Sequence, residues 1–248
     1  MSSAGLIISF NALGLVSDGP GENIIWPSLY PLEKRNTFVL ALLSKRKKWL
    51  HPEIRNEEVK KICMEGNGGK PFLTPIGRRD LRGAFGVKLH PMLQGIDPSS
   101  EFLRPIYEWC QEEMAPLIVH LGFSRRGDLR FSDPLLIDPI ASEYDFPIIL
   151  AHMGSSRGFL WEKSKMVTLK NDNIILETSW APKEVIKDAL DEFGADRIIF
   201  GSDYPFRNPI EELRKVLEII GSFRESHGTH RGSELQSDGR ERSSSDNR

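Results

Sequence analysis

Leu117-Ile-Val-His120-Leu-Gly is the first of three stretches with one design: an apolar run ends in a side chain that can bind a metal, and a turn residue follows. The other two read Ile149-Leu-Ala-His152-Met-Gly and Ile199-Phe-Gly-Ser-Asp203-Tyr-Pro. Short apolar runs of this kind are typical of buried parallel strands, and a stretch of helical period follows each of them. The design therefore predicts strands whose carboxyl ends carry the chemistry.

The same strand pattern extends along the rest of the chain after Gly86. Five apolar runs lie roughly 24 to 32 residues apart, which is the period of repeated strand and helix units. Asp97-Pro98, Asp133-Pro134 and Asn208-Pro209 each predict a helix start, because a capping side chain precedes Pro. The glycine fingerprint of a dinucleotide-binding sheet is absent, so the pattern favours an α/β fold of the TIM (β/α)8-barrel type. The five runs are Val87–Leu89, Leu117–Val119, Ile148–Leu150, Ile174–Leu176 and Ile198–Phe200.

The region before Gly86 has a weaker pattern. Leu6–Ser9 and Phe72–Ile76 are predicted strands, and Asn56–Met64 is a predicted helix. Thr37–Leu43 fits a strand or a helix. Its leucine content and the basic cluster Lys45–Lys48 favour a helix, since cations stabilise a helix C-terminus.

Composition limits the classes of function. The chain has 248 residues, 39% hydrophobic content, a net charge of −2 and a pI near 6.3, so no basic field favours nucleic acid or an anionic membrane. Two cysteines, no long apolar run and no signal-peptide pattern predict a reduced, soluble, cytoplasmic protein. A small polar molecule is the expected partner.

One main domain is predicted over residues 1–220, of which 1–55 are weakly defined. Residues 221–248 consist mostly of Ser, Gly, Arg, Glu and Asp, and such a segment buries too little surface to offset its chain entropy. We expect a disordered polar tail.

Four motifs together resemble the amidohydrolase-related family of TIM-barrel metal hydrolases, which includes aminocarboxymuconate-semialdehyde decarboxylase and related lyases and lactonases. The resemblance covers about residues 56 to 220 and implies that the motifs end strands four, five, six and eight of a barrel. They are Gly86-Val-Lys-Leu-His-Pro91, Val119-His-Leu-Gly122, Ala151-His-Met-Gly154 and Phe200-Gly-Ser-Asp-Tyr-Pro-Phe206.

The family also carries a His-x-His pair at the end of its first strand, and this chain has none before residue 200. We therefore expect the chain to lack that first strand, so that the barrel is incomplete or altered at its N-terminus. An open barrel exposes strand edges. Partner pairing, rearrangement or instability is expected, and a homo-oligomer is one form that pairing can take.

The resemblance assigns metal binding to His120, His152 and Asp203, with Asp203 or His152 as the catalytic group that moves a proton. The divalent ion is expected to be zinc, weakly bound because the His-x-His pair is missing. From the residues alone, either histidine can instead be a hydrogen-bonded core residue, and Asp203 can cap a turn.

Substrate contacts are expected from Lys88, His90 and Arg157. Lys88 and His90 are two residues apart, so strand alternation places both on one face. Lys88 can orient an anionic substrate, bridge metals as a carbamate or be structural; His90 can pack, and Arg157 can be a solvated surface residue.

The sequence predicts a metal-dependent hydrolase or lyase that cleaves a C–O, C–N or C–C bond in a small, carboxylated metabolite. The alternative is a catalytically impaired barrel remnant, or a truncated gene product, that serves as a binding or assembly subunit.

Overall fold

A single sheet organises the protein. The computed structural model describes residues 4–9, 38–43, 56–57, 59–61, 70–75, 77–123, 127–154, 158–203 and 206–222. Within these ranges eight strands are hydrogen-bonded in chain order, from β1 to β8. The strands are β1 (Ala4–Ser9), β2 (Phe38–Leu43), β3 (Lys70–Leu73), β4 (Gly86–Leu89), β5 (Leu117–His120), β6 (Ile148–Ala151), β7 (Ile174–Glu177) and β8 (Ile198–Ile199).

Helices alternate with the later strands, which confirms the predicted α/β class. Two of the three predicted caps are present: the side chain of Asp133 accepts from the backbone N–H of Leu135 at 3.0 Å, and that of Asn208 accepts from Ile210 at 2.9 Å. The helix start predicted at Asp97 is wrong, because Asp97 accepts from Ser99 in a turn and Ser100 caps the helical turn that follows. The helices are α1 (Pro91–Gln94), α2 (Arg104–Glu113), α3 (Asp138–Glu143), α4 (Gly158–Lys170), α5 (Lys183–Phe193) and α6 (209–222), and residues 56–57 and 59–61 are also helical.

Strands β2 to β8 pair in parallel, whereas β1 pairs with β2 antiparallel. A (β/α)8 barrel has only parallel pairs, so the expected alteration at the N-terminal end is confirmed. The prediction of a helix over Thr37–Leu43 is wrong, because these residues include strand β2. A short apolar run carries no decisive period, and pairing with strands on both sides outweighs leucine's helical propensity.

Alternate residues of the strands build two apolar clusters, one on each face of the sheet. The cluster under the helices includes Leu117, Ile148 and Leu150. On the other face, Ile118 of β5, Ile149 of β6 and Ile175 of β7 lie in register. We call this second cluster the inner layer; its buried members are Phe72, Ile118, Ile149, Ala151, Ile175 and Ile199.

Lys88 lies in register with Ile118. Its charged side chain is therefore on the same face of the sheet as the inner layer. It is only 2% exposed. Since a buried charge is costly unless groups of opposite charge surround it, the sheet must supply such groups nearby. Among the residues that the structure describes, no helix has the length and apolarity needed to cross a membrane.

Candidate active site

The carboxyl ends of β4 to β8 place a group of polar side chains at one edge of the sheet. This follows from parallel pairing, because the carboxyl ends of parallel strands meet at the same edge. Of the predicted site residues, Arg157 lies outside the described residues. The others follow or end their strands: Lys88 and His90 at β4, His120 at β5, His152 at β6 and Asp203 at β8.

Three imidazole rings are in contact at this edge. His90 stacks on His120 with ring centroids 3.8 Å apart and an interplanar angle of 16°. His120 meets His152 nearly at a right angle, and its Nδ1 lies 3.1 Å from Nε2 of His152. The Nε2 atom of His120 is buried without a hydrogen-bond partner among the described residues.

Glu177, the last residue of β7, and Ser179, just after it, support His152, and no motif in the sequence singled out either residue. Nδ1 of His152 lies 2.7 Å from Oγ of Ser179, and that hydroxyl lies 2.8 Å from Oε2 of Glu177. Glu177 also accepts the backbone N–H of His152 at 3.0 Å and that of Ser179 at 2.6 Å. One signal was available, since Glu177 ends an apolar run just as His120 does.

The position of the Glu177 carboxylate requires a glycine at residue 201, just beyond the neighbouring strand β8. A Cβ atom placed on Gly201 would lie 1.8 Å from Oε1 of Glu177, well inside van der Waals contact. The carboxylate therefore packs directly against the backbone of residue 201. Any larger residue there would have to move Glu177 away from Ser179 and His152.

Lys88 is the electrostatic centre of the site. Burial lowers the pKa of its amine to about 8, although the negative charges of Asp203 and Glu177 act in the opposite direction. Burial also lowers the pKa of His152 to about 3 and that of His120 well below its ordinary value, and the Lys88 charge adds to both shifts. Both imidazoles are thus neutral at pH 7.

Asp203 is an acidic group whose pKa lies near neutrality. Burial raises the pKa of its carboxyl to about 7, while the indole of Trp180 and the charge of Lys88 lower it. The Trp180 N–H donates to Oδ2 of Asp203 at 2.6 Å. Burial also raises the pKa of Glu177, against the hydrogen bonds that it accepts. A carboxyl that titrates near pH 7 can both give and take a proton.

Trp180 also binds a cation at the mouth of the site. The guanidinium of Arg207 lies over the Trp180 ring, 4.2 Å from its centroid, and the indole is 41% exposed. Arg207 is 3.9 Å from a carboxylate oxygen of Glu212. Arg207 therefore lies over the ring whose N–H binds Asp203, and its side chain is partly exposed to solvent.

Three residues at this edge have a positive φ, which residues other than glycine rarely adopt. His152, Trp180 and Asp203 have φ values of 61°, 62° and 52°, in the left-handed region. Asp and His tolerate that region better than most residues, whereas a bulky residue there is a true outlier. Such strain costs on the order of 1 kcal/mol or more per residue and clusters at functional sites.

These side chains meet only part of what a zinc ion needs. Two neutral imidazoles face each other across 3.1 Å, and one further imidazole nitrogen is buried without a hydrogen bond. However, no set of three or more His, Cys, Asp or Glu side chains in the described part of the chain is arranged to hold a metal. Zinc sites usually have three or four protein donors, so the described residues do not complete one.

Comparison with known proteins adds a family and a set of similar folds. A family model with the description amidohydrolase matches residues 76–229. No curated protein sequence matches the chain. The site described above lies entirely within the matched range.

Three solved structures illustrate the likeness of fold. An uncharacterised TIM-barrel protein from Bordetella bronchiseptica has a TM-score of 0.56 and 18% identity, over 66% of this chain and 64% of that one. A 2,6-dihydroxybenzoate decarboxylase from Rhizobium has a TM-score of 0.52 and 19% identity, over 71% and 72%. A 5-carboxyvanillate decarboxylase from Novosphingobium aromaticivorans, in complex with manganese and 4-hydroxy-3-methoxy-5-nitrobenzoic acid, has a TM-score of 0.53 and 18% identity, over 66% and 62%. This chain therefore spans about two thirds of the length of these proteins.

Proposed function

The chain belongs to the amidohydrolase family, as the motifs predicted, and from this premise we propose that it is a hydrolase or lyase acting on a small carboxylated molecule. The observation that carries the proposal is the convergence of Lys88, His120, His152 and Asp203 at the carboxyl edge of the sheet, where His120 is half-buried and the other three are buried. Buried titratable groups with shifted pKa values at such an edge are typical of an active site.

We assign proton transfer to Asp203 and His152. Asp203 has a pKa of about 7, so both its acid and its base forms are present at neutral pH. His152 is neutral and therefore has one ring nitrogen with a free electron pair. Lys88 supplies positive charge close to both groups, where negative charge on a substrate would be stabilised.

A planar aromatic acid is the proposed substrate class. Trp180 and Phe206 are exposed beside the site, and Arg207 lies over Trp180, so a flat ring and its carboxylate would find partners in one place. Two of the proteins with a similar fold are named as decarboxylases of aromatic acids. His90, in the stacked pair with His120, and Arg157 remain proposed substrate contacts.

Metal dependence is a separate part of the proposal. His120 and His152 would supply two imidazole donors and Asp203 a carboxylate, and a bound divalent ion would acidify water or polarise a carboxylate. Because the described residues do not complete such a site, the proton transfers above are assigned to side chains alone. Zinc and manganese are the ions to test.

The test is turnover by the purified full chain. Hydroxybenzoates are assayed for release of CO2 and aromatic lactones for ring opening, each after chelation and after addition of Mn²⁺ or Zn²⁺. Asp203→Asn should lower kcat by about 100-fold or more, because an amide cannot exchange a proton. Asp172→Asn is the matched control, since that side chain is fully exposed. Full activity of Asp203→Asn would contradict the assignment.

The alternative of a binding subunit without turnover has one observation in its favour, the incomplete set of metal donors among the described residues. Calorimetric titration with 2,6-dihydroxybenzoate separates the two functions. Saturable binding that Lys88→Met abolishes, with no product under any metal condition, would favour the binding subunit.

A further inference from the structure

Four side chains form one hydrogen-bonded series across the ends of three strands. It runs from Glu177 to Ser179, then to His152 and finally to His120, over distances of 2.8, 2.7 and 3.1 Å. We propose that Glu177 and Ser179 are positioning residues that hold His152 with its hydrogen on Nδ1. They thereby fix which nitrogen of each imidazole carries the hydrogen and which carries the electron pair.

Glu177 is the acceptor end of the series. The backbone N–H groups of His152 and Ser179 donate to Oε2 and Oε1, and a backbone N–H cannot accept. Lys88 places a positive charge near the same carboxyl. Glu177 is fully buried, so these donors, together with the Ser179 hydroxyl, balance its charge.

Ser179 transmits this polarity to His152. A hydroxyl group has a single hydrogen, and Ser179 gives it to Oε2 of Glu177 at 2.8 Å. The oxygen is then an acceptor towards Nδ1 of His152, which lies 2.7 Å away. Two acceptors at that distance would repel each other, so the hydrogen of this contact must belong to Nδ1.

The polarity continues to the last ring. A neutral imidazole has one N–H, so Nε2 of His152 carries an electron pair. It faces Nδ1 of His120 at 3.1 Å, which must donate. The electron pair of His120 is then on Nε2, the atom that is buried without a hydrogen-bond partner in the described structure. Every hydrogen in the series points towards Glu177.

The consequence of this orientation for activity rests on the proposed function. Proton transfer or metal binding by His152 requires an electron pair on Nε2, whereas histidine in water prefers its hydrogen there. Supporting partners that fix a histidine tautomer typically change metal affinity or activity by 10-fold to 100-fold when removed. We expect Ser179→Ala to lower kcat within that range while KM stays nearly constant.

The deciding experiment reads the tautomer and needs neither substrate nor metal. The full chain is labelled with [15N]histidine and freed of metal by chelation, and the ring nitrogens are observed by long-range 1H–15N correlation. His152→Gln identifies the signals by their loss. We expect wild-type His152 to carry its hydrogen on Nδ1, Ser179→Ala to move it to Nε2, and Ser179→Thr, which keeps the hydroxyl, to retain the wild-type pattern.

Ser132→Ala is the matched control, because this buried serine donates to the carbonyl of Leu129 instead of to the series. A wild-type hydrogen on Nε2 of His152, or an unchanged pattern in Ser179→Ala, would overturn the inference. The wild-type spectrum decides by itself if Ser179→Ala does not fold. An inactive protein with the expected tautomer would leave the inference standing and refute only the proposed function.

Discussion

The bodies and the ends of strands β5 to β8 differ in polarity and in backbone conformation. The bodies are apolar and fully paired: Ile118, Ile149 and Ile175 lie in register and are at most 2% exposed. Two to four residues beyond the inner layer, the strand ends bury His152, Glu177 and Asp203. The backbone of His152 and Asp203 is left-handed. Burial of apolar surface stabilises the fold, whereas buried charge and backbone strain oppose it.

This contrast indicates that packing of the strand bodies offsets the cost of buried charge and left-handed backbone at the strand ends. Lys88 shows this within a single residue, because its backbone pairs in β4 beside Ile118 while its charge lies among those of Asp203 and Glu177. Substitutions in the bodies should therefore change stability, and substitutions at the ends should change chemistry at a smaller cost in stability.

The largest effect is expected from the inner layer. Ile149→Ala should lower the free energy of unfolding by about 2–5 kcal/mol, because it removes buried methyl groups and leaves a cavity between Ile118 and Ile175. Urea denaturation measures this loss. Ile210→Ala is the matched control, since Ile210 is 60% exposed and should lose less than about 1 kcal/mol. Equal losses would remove the distinction between the regions.

Gly201→Ala should have the next largest effect, a loss of about 1–3 kcal/mol, because its Cβ would overlap Oε1 of Glu177. Gly221→Ala should cost nothing, as no atom lies within 4 Å of the added methyl group. The double variant Gly201→Ala with Glu177→Asp sharpens the test. The shorter side chain frees space, so the two losses should not add. Strict additivity would contradict the contact.

The pH dependence of stability should also separate the ends from the bodies. The pKa of Asp203 is about 7 in the folded state and near 3.8 when unfolded, so the folded state binds more protons between these values. Its contribution to stability is therefore complete below about pH 4 and is lost as pH rises towards 7, by roughly 2 kcal/mol from pH 5 to 7.

The lowered pKa values of His152 and His120 make stability rise over the same interval, so the Asp203 contribution is the difference between two proteins. Urea denaturation of the metal-free chain at pH 5 and 7 should show a smaller gain in stability for the wild type than for Asp203→Asn. Lys88, Glu177, Glu212 and Trp180 surround the group. The lowered pKa of Lys88 has the opposite sign, because its contribution recovers as pH rises above about 8. An equal change of stability with pH in the wild type and the Asn variant would contradict the assignment to Asp203.

The smallest expected effect is a gain. Met114 ends helix α2 in the left-handed region with φ of 46°, outside the site. Met114→Gly should raise the free energy of unfolding by about 0.5–1 kcal/mol without changing activity. Met166→Gly, at an exposed position in the middle of α4, should lower the free energy of unfolding by about 1 kcal/mol. A loss in both variants would show that left-handed strain at Met114 is negligible.

The sequence was sufficient for the parts of the structure that local pattern determines. Apolar runs predicted β4 to β8, capping pairs predicted helix starts, and alternation placed Lys88 and His90 on one face. Pairing between distant segments determined the rest. Strand β2 was predicted as a helix because only its neighbours β1 and β3 reveal it. Ser179 gained significance only through its contact with His152.

The left-handed backbone at His152, Trp180 and Asp203 also sets which genetic changes these positions can accept. In a saturation library selected only for a folded, abundant protein, Gly, Asn and Asp should be enriched at all three codons, because these residues adopt that conformation most easily. Such a library would return a restricted set even if the positions had no catalytic duty. Asn at codon 203 is then the most informative variant, since it satisfies the backbone and removes only the ionisable carboxyl.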